Sequence, residues 1–227
     1  MAGESPIDAT RLPAPVLLHD SARAPNPRRV RIFMAEKGIT LPARDLDIMA
    51  GAHFRPEYRA LTGTHHVPAL ELSDGTVLTE TVAICRYLEA WRPEPNLMGR
   101  DPLEAARIEM WQRRMEFQLL QPIAFVLRHS NPAMAVLEQP QIPQWAEANR
   151  PRVAAALADL DARLAGAPYV AGDRYTIADI TAIVAVDFMR TIRQPIPEGC
   201  AALAAWAARI RARPAVAATD PARREAR

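Results

Sequence analysis

The chain has 227 residues, of which 49% are hydrophobic and 24% are charged. This length and composition suffice for a packed core in one domain or in two small ones. The formal net charge is only +2, which describes near balance and not a basic surface, so we expect no nucleic acid partner. No apolar run reaches the roughly 18 residues of a membrane span, and residues 1–15 lack the apolar core of a signal peptide. We therefore expect no membrane partner and a cytoplasmic protein.

The two cysteines, Cys85 and Cys200, stand far apart in the sequence. Neither belongs to a C-x-x-C pair or to a Cys/His spacing typical of zinc sites. We interpret both as packing thiols and expect neither a metal site nor a cofactor.

The first part of the chain alternates short strands with helices. We predict a strand over Val16–His19, a helix over Pro27–Lys37 and a strand over Ala43–Ile48. Asn26 is the predicted N-cap of this helix, and Gly38 is its predicted end.

The segment from His66 to Trp91 is the most informative part of the sequence. A strand starts at Val67-Pro68, a Ser-Asp-Gly turn follows, and a second strand leads to Glu80-Thr81 at the start of a helix. If the Val67–Pro68 bond is cis, the Val67 N–H and C=O face outward and can pair with an extended peptide. Glu80 can meet an ammonium, and the helix start can meet a carboxylate. This unit fits a ligand that carries an amino group and a carboxyl group.

After a Pro-rich linker, the rest of the chain is predicted to be helical. Asp101 begins the first of these helices as an N-cap, and Pro122 kinks or ends it. The Thr176-x-x-Asp179 pattern is a capping box, and we interpret Asp179 as a structural residue. From Pro214 onward we expect a frayed tail. The predicted helices cover approximately residues 101–120, 144–164, 177–191 and 201–213.

These motifs together resemble the cytosolic glutathione transferases. The resemblance rests on Val67-Pro68, Glu80-Thr81 and Thr176-x-x-Asp179 at this spacing, and it spans about residues 16–216. The sequence from Asn26 to Lys37 is similar to a fungal and bacterial subgroup that lacks the usual catalytic Ser, Tyr or Cys. The resemblance implies a thioredoxin-like α/β domain at 16–92, a linker at 93–100 and an all-α domain at 101–216. An extension at 1–15 and a tail at 217–227 flank these domains, and the family implies a homodimer.

The resemblance also implies a glutathione site. Glu80 and Thr81 correspond to the pair that holds the γ-glutamyl end, and Val67 to the residue whose backbone pairs with the cysteinyl unit. His66 and His53 correspond to positions that contact the peptide backbone and the glycine carboxylate. The alternatives are plain helix capping for Glu80 and Thr81, and solvated loop histidines for His53 and His66.

The usual catalytic position is occupied by Ala24, which has no hydroxyl or thiol. Three substitutes remain for stabilising the glutathione thiolate. The helix N-terminus with the Asn26 amide is the one that we favour. His129 could act through a water molecule, although Ala124 stands where a partner serine is expected. Ser21 could reach the sulfur if its loop bends.

We predict a glutathione transferase, with a role in detoxification, that joins the thiolate to a small apolar electrophile. The second domain offers apolar residues for this electrophile, namely Trp111, Met115, Phe117 and Phe125. One alternative is a glutathione-binding or interaction module without catalysis. Another is a glutathione-dependent disulfide reductase or isomerase on the same fold.

Overall fold

The computed structural model describes residues 12–220. The chain divides into two compact units between Asn96 and Leu97, and each is described by itself. Most of the predicted extension at 1–15 and of the tail at 217–227 lies outside the described residues. Within residues 12–220, none of the helices has both the length and the apolar character needed to cross a bilayer.

The N-terminal unit alternates strands with helices. Its elements are, in chain order, β1 (Pro15–Asp20), α1 (Pro25–Glu36), β2 (Ala43–Asp45), α2 (Pro56–Thr62), β3 (Ala69–Leu72), β4 (Val77–Thr79) and α3 (Thr81–Trp91). The strands form a mixed four-stranded sheet with the order β2-β1-β3-β4, in which β1 and β2 are parallel and β3 is antiparallel to both β1 and β4. Helix α3 contacts α1 and the strands β3 and β4. This β-α-β-α-β-β-α order confirms the predicted thioredoxin-like fold.

The start of α1 differs from the prediction. The helix begins at Pro25, after Ala24 in extended conformation and with no side-chain cap. Pro25 allows this earlier start because its fixed φ suits the first helical position and its missing N–H needs no partner there. Asn26 therefore lies inside the first turn, where its Oδ1 accepts a hydrogen bond of 3.1 Å from Arg29 Nη1. The prediction that Asn26 is the N-cap is wrong.

The segment between β1 and β3 contains two further differences. Strand β2 ends at Asp45 and not at Ile48, because Asp47 Oδ1 accepts the N–H groups of Met49 and Ala50, each at 3.0 Å, and forms a local turn. Helix α2, whose one buried residue is Tyr58, was not predicted from the sequence. A short 3₁₀ turn, Ala52–Phe54, precedes α2.

The C-terminal unit contains helices joined by turns and loops and no strand among its described residues, in agreement with the predicted all-α domain. Residues 177–186 are all buried and form the centre of its core. Short 3₁₀ turns cover Pro132–Val136 and Met189–Ile192. The helices are α4 (Pro102–Arg114), α5 (Gln121–Ser130), α6 (Pro143–Ala165), α7 (Ile177–Phe188), α8 (Ala201–Arg211) and α9 (Pro214–Ala218).

Two features of this unit correct the predictions. A π-helical segment, Met115–Leu120, joins α4 to α5, so Pro122 does not end the helix. Proline removes one backbone donor, and a wider π turn before it is a known way to continue a helix around such a gap. The predicted frayed tail also begins with a helix, α9, whose residues Ala215 and Val216 are buried.

Both predicted helix caps of this unit are present. Asp101 accepts the N–H groups of Leu103 and Glu104 at the start of α4. At the start of α7, Thr176 and Asp179 form the full capping box. Because the Asp179 carboxylate is completely buried and occupied by these and other hydrogen bonds, its structural interpretation is confirmed.

Candidate functional site

The register of the sheet brings three segments of the N-terminal unit to one edge. His19 in β1 pairs with Ala69 in β3, and Ala69 also pairs with Thr79 in β4. The residues that follow β1, precede β3 and follow β4 are therefore neighbours. Strand β2 runs parallel to β1, so the loop that carries His53 also leaves the sheet at this edge. Ligands of open α/β sheets bind at such an edge.

Val67 presents its backbone at this edge. Its peptide bond to Pro68 is cis, a point that the sequence left open. Its side chain is half-buried, and within residues 12–220 neither its N–H nor its C=O has a hydrogen-bond partner. The preceding residue, His66, is exposed, and its Nδ1 lies 3.3 Å from Thr64 Oγ1. Both backbone groups of Val67 are therefore available to an extended ligand, and their pairing with one stays a prediction.

The start of α3 combines an exposed carboxylate with open backbone donors. Glu80 precedes the helix with φ 67° and ψ 120° and makes no side-chain cap. A non-glycine residue in this region of φ/ψ space costs about 1–3 kcal/mol. Among the described residues, the backbone N–H groups of residues 81–83 have no hydrogen-bond acceptor. Thr81 itself is buried. A ligand carboxylate fits at these donors, and the Glu80 carboxylate is exposed to meet an ammonium.

His53 and His66 lie in different environments. His53 is only 5% exposed and its ring stacks on Phe54 with centroids 3.9 Å apart, so the solvated-loop alternative is wrong for His53. That alternative stays open for His66. His65 Nδ1 lies 3.1 Å from the His53 carbonyl oxygen, and because a carbonyl only accepts, this nitrogen donates. His65 thus joins the segments of His53 and Val67, a role that the sequence analysis did not identify.

Most backbone donors of the loop after β1 are already used. The Ser21 N–H donates to Asp20 Oδ1 at 2.7 Å, and the Ala22 N–H donates to Asp45 Oδ1 at 2.8 Å. The Ala24 N–H donates to the Ser21 carbonyl at 3.0 Å. These three N–H groups are therefore not available to a sulfur anion.

The first turn of α1 offers fewer donors than expected. Pro25 and Pro27 have no N–H, so Asn26 is the only one of the first three helical residues with a backbone donor. The start of α1 therefore presents the Asn26 N–H and not a row of backbone donors. Asn26 and Ser21 also carry side-chain donors, the exposed Asn26 amide and the Ser21 hydroxyl. Ser21 is 4% exposed, and its hydroxyl has no partner within the described part of the chain.

His129 belongs to the C-terminal unit, at the end of α5. It is 8% exposed, and its Nδ1 accepts the Ile142 N–H at 3.0 Å. An accepting Nδ1 places the proton of the neutral ring on Nε2, so neutral His129 is a hydrogen-bond donor through Nε2. Phe125 lies beside this ring, with centroids 6.4 Å apart, and beside Trp145 at 5.7 Å.

The four residues predicted for the electrophile do not behave alike. Met115 is 3% exposed and belongs to the core of the C-terminal unit. Phe117 is 51% exposed, with the Arg113 guanidinium 5.1 Å from its ring centroid. Trp111 and Phe125 are half-buried. Phe117, Trp111 and Phe125 therefore have exposed apolar surface that a small electrophile could contact, whereas Met115 does not.

The cysteines and the metal-binding residue types form no further site in the described residues. Neither Cys85 nor Cys200 forms a disulfide, and both are buried. Residues 12–220 contain no group of three or more His, Cys, Asp or Glu side chains that could hold a metal ion.

Comparisons with known proteins identify both units. The family model for the glutathione S-transferase N-terminal domain matches residues 24–91, and that for the C-terminal domain matches residues 143–209. Glutathione S-transferase 2 of Saccharomyces cerevisiae is 35% identical over 204 residues, which cover 88% of each chain.

Solved structures give the same result. The structure of Gtt2 from Saccharomyces cerevisiae has a TM-score of 0.85 and 34% identity, and covers 90% of this chain and 100% of its own. A glutathione S-transferase domain-containing protein from Marinobacter aquaeolei has a TM-score of 0.86 and 36% identity, with 88% and 100% coverage. The chain belongs to the glutathione S-transferase family.

Proposed function

We propose that this protein is a glutathione transferase that binds glutathione at the edge of the sheet in the N-terminal unit. The observation that carries this proposal is the arrangement around α3 and β3. The exposed Glu80 carboxylate, the open N–H groups at the start of α3 and the unpaired backbone of Val67 lie at one edge. Family membership supports glutathione as the peptide bound there.

Each part of glutathione has a complementary group. Glu80 meets the ammonium of the γ-glutamyl unit, and the α3 start with Thr81 meets its carboxylate. The Val67 N–H and C=O pair with the cysteinyl backbone as an added strand. His53 and His66 contact the glycine end and the peptide backbone.

Catalysis then requires the thiolate. The thiol of free cysteine has a pKa of about 8.5, so only a small fraction is ionised at neutral pH. Lowering this pKa by two units takes about 2.7 kcal/mol of preferential thiolate stabilisation. The thiolate attacks the electrophilic carbon and forms a C–S bond, the leaving group departs with its electron pair, and the thiol proton passes to solvent.

We assign thiolate stabilisation first to Asn26 and then to Ser21. Asn26 retains one backbone donor and an amide group, and its first-turn position places it at the positive end of the α1 dipole. Ser21 supplies a hydroxyl with no partner among the described residues. His129 is third, because Ile142 occupies its Nδ1 and Ala124 supplies no hydroxyl for a shared water.

The remaining features of the proposal concern the second substrate and the cellular setting. Trp111, Phe117 and Phe125 provide apolar surface for a small electrophile. Two buried cysteines that form no disulfide suit a reducing compartment, and we place the protein in the cytoplasm. The homodimer, like the role in detoxification, follows from family membership.

The test is glutathione conjugation to a chlorodinitrobenzene, measured with the Glu80→Ala variant and a matched control. Loss of the Glu80 carboxylate should lower glutathione affinity at least ten-fold, the cost of a charge-assisted hydrogen bond of about 1.5–3 kcal/mol. Glu147→Ala removes an exposed carboxylate from α6 and should leave the activity unchanged. Conjugation that survives Glu80→Ala with unchanged affinity would contradict the proposed site.

The two alternatives have distinct outcomes. Glutathione binding without conjugation would indicate the binding module. Activity in a disulfide reductase assay without conjugation would indicate the reductase or isomerase. Between the thiolate-stabilising residues, Asn26→Ala should reduce thiolate formation more than His129→Ala, and the reverse order would move the assignment to the C-terminal unit.

A further inference from the structure

Tyr58 connects the unpredicted helix α2 to the segment that presents Val67. It is 6% exposed, and its hydroxyl donates to the His66 carbonyl oxygen at 2.7 Å. The Tyr58 ring lies edge-on to His19, with centroids 5.7 Å apart. His19 is itself 1% exposed, and its Nε2 lies 2.6 Å from Glu71 Oε1. The tyrosine is therefore anchored on its ring side by the sheet.

The His66 carbonyl is not a distant group. It belongs to the same planar peptide unit as the Val67 N–H, and this peptide bond is trans. In a trans peptide the C=O and N–H point in opposite directions within one plane. A hydrogen bond that holds the His66 oxygen towards α2 therefore turns the Val67 N–H away from α2.

We propose that Tyr58 is a positioning residue for glutathione binding, which fixes the His66–Val67 peptide so that the Val67 N–H meets the cysteinyl carbonyl. This inference rests on the proposed function. Tyr58 touches neither substrate nor sulfur, so it acts on ligand affinity and not on thiolate chemistry.

Two further observations support this role. Burial raises the pKa of Tyr58 to about 12, so the hydroxyl remains a donor throughout the range in which the enzyme works. The segment between Tyr58 and His66 also has its own contacts, because the Thr62 hydroxyl lies 2.8 Å from the Tyr58 carbonyl oxygen and 2.9 Å from that of Thr64. The same hydroxyl oxygen accepts the Thr64 N–H at 3.3 Å, so Thr62 ties Tyr58 to the residues that lead to His66.

The matched pair of variants is Tyr58→Phe and Tyr87→Phe. Both tyrosines donate to a backbone carbonyl within the N-terminal unit, but the acceptor of Tyr87 is Pro13 and not His66. Tyr58→Phe should weaken glutathione binding, measured by calorimetry, between about two- and ten-fold, the usual range for one hydrogen bond. It should raise KM for glutathione by the same factor and leave kcat and the pKa of bound thiol unchanged. Tyr87→Phe should change none of these values.

The outcomes separate this inference from the proposed function. A wild-type protein that does not bind glutathione contradicts the proposed function itself. A wild-type protein that binds, together with a folded Tyr58→Phe variant of equal affinity, overturns only the role of Tyr58. A fall in kcat or a shift of the thiol pKa in this variant would also overturn it.

If Tyr58→Phe does not fold, the wild-type protein still tests the inference by NMR. The Tyr58 hydroxyl proton should exchange slowly with solvent with and without glutathione. The Val67 amide should become protected only when glutathione is bound. A rapidly exchanging Tyr58 hydroxyl or an unprotected Val67 amide would overturn the inference.

Discussion

Asp179→Ala is the substitution whose effect on stability can be worked out most fully from the structure. The Asp179 carboxylate is completely buried at the start of α7. It accepts the Val170 N–H at 3.0 Å, the Trp206 Nε1–H at 3.1 Å and the Thr176 N–H at 3.0 Å. The alanine variant leaves these three buried donors without their acceptor.

Two opposing contributions set the size of the effect. Each unpartnered donor costs about 1–3 kcal/mol, so three together cost roughly 3–9 kcal/mol. Burial, partly offset by these hydrogen bonds, raises the pKa of Asp179 from 3.8 to about 6. At pH 7, ionisation of the Asp179 carboxyl therefore destabilises the folded state by about 3 kcal/mol. The Asp179→Ala variant has no carboxyl at this position, so this destabilisation is absent from it. We expect a net loss of about 3 kcal/mol at pH 7, a large share of the 5–15 kcal/mol of a typical domain.

The raised pKa also predicts the sign of the pH dependence. The folded state binds the proton more tightly than the unfolded state, so the contribution of Asp179 is greatest at low pH and declines as pH rises through 3.8 to about 6. When the pH is lowered from 7 to 5, the free energy of unfolding of the wild-type protein should therefore rise by about 1 kcal/mol relative to that of Asp179→Ala.

Urea unfolding followed by circular dichroism at both pH values measures this difference. Other titrating groups are common to both proteins and do not affect the gap between them. Asp159→Ala, an exposed position on α6, should change stability by less than about 0.5 kcal/mol. If the difference in free energy of unfolding between wild type and Asp179→Ala is smaller at pH 5 than at pH 7, the hydrogen bonds outweigh burial at Asp179, and its pKa is not raised.

Three further substitutions test other parts of the structure. Lys37, the only lysine, is buried with Nζ 2.7 Å from Glu89 Oε2 and within 3.3 Å of three carbonyl oxygens. Lys37→Met removes the cation of this buried ion pair, so it should cost about 3–5 kcal/mol and lower Tm by about 10 °C; an unchanged Tm would contradict this. Gly99 has φ +114° and a Cβ there would overlap the Ala105 backbone, so Gly99→Ala should destabilise the C-terminal unit in urea, and equal stability would show that this approach is not tight. The Arg174 guanidinium lowers the pKa of Glu104 from 4.5 to about 2, so the stability advantage of wild type over Glu104→Gln should disappear as pH falls from 4.5 towards 2; an advantage that persists in acid titrations would count against the ion pair.

Local signals account for the elements that the sequence predicted well. The Thr176-x-x-Asp179 box and the Asp101 cap lie within one helical turn, so residue type and spacing are enough to identify them. Glu80 and Thr81 could be placed at a helix start from the strong apolar period that follows them, whereas their role towards glutathione comes from the family resemblance and stays a prediction.

The missed features depend on contacts that leave no local pattern. Helix α2 has only seven residues and one buried side chain, so its sequence shows no apolar period that would predict a helix. Such a short helix depends on its tertiary contacts. The roles of Tyr58 and His65 come from backbone carbonyls that lie 8 and 12 residues away in the sequence. Asn26 was misplaced because Pro25 and Pro27, one on each side of it, can each occupy a first helical position, and only the fold selects Pro25.

Ala24 stands where the usual catalytic hydroxyl or thiol is expected, and we propose that this chain activates glutathione without such a group. An ultraviolet difference titration of bound glutathione, which follows thiolate absorbance against pH, measures this activation. We predict a bound thiol pKa about two units below the free value, the result of about 2.7 kcal/mol of thiolate stabilisation. Glutathione that binds with an unshifted pKa would rule out activation and would favour a protein that kept the binding site and lost the chemistry.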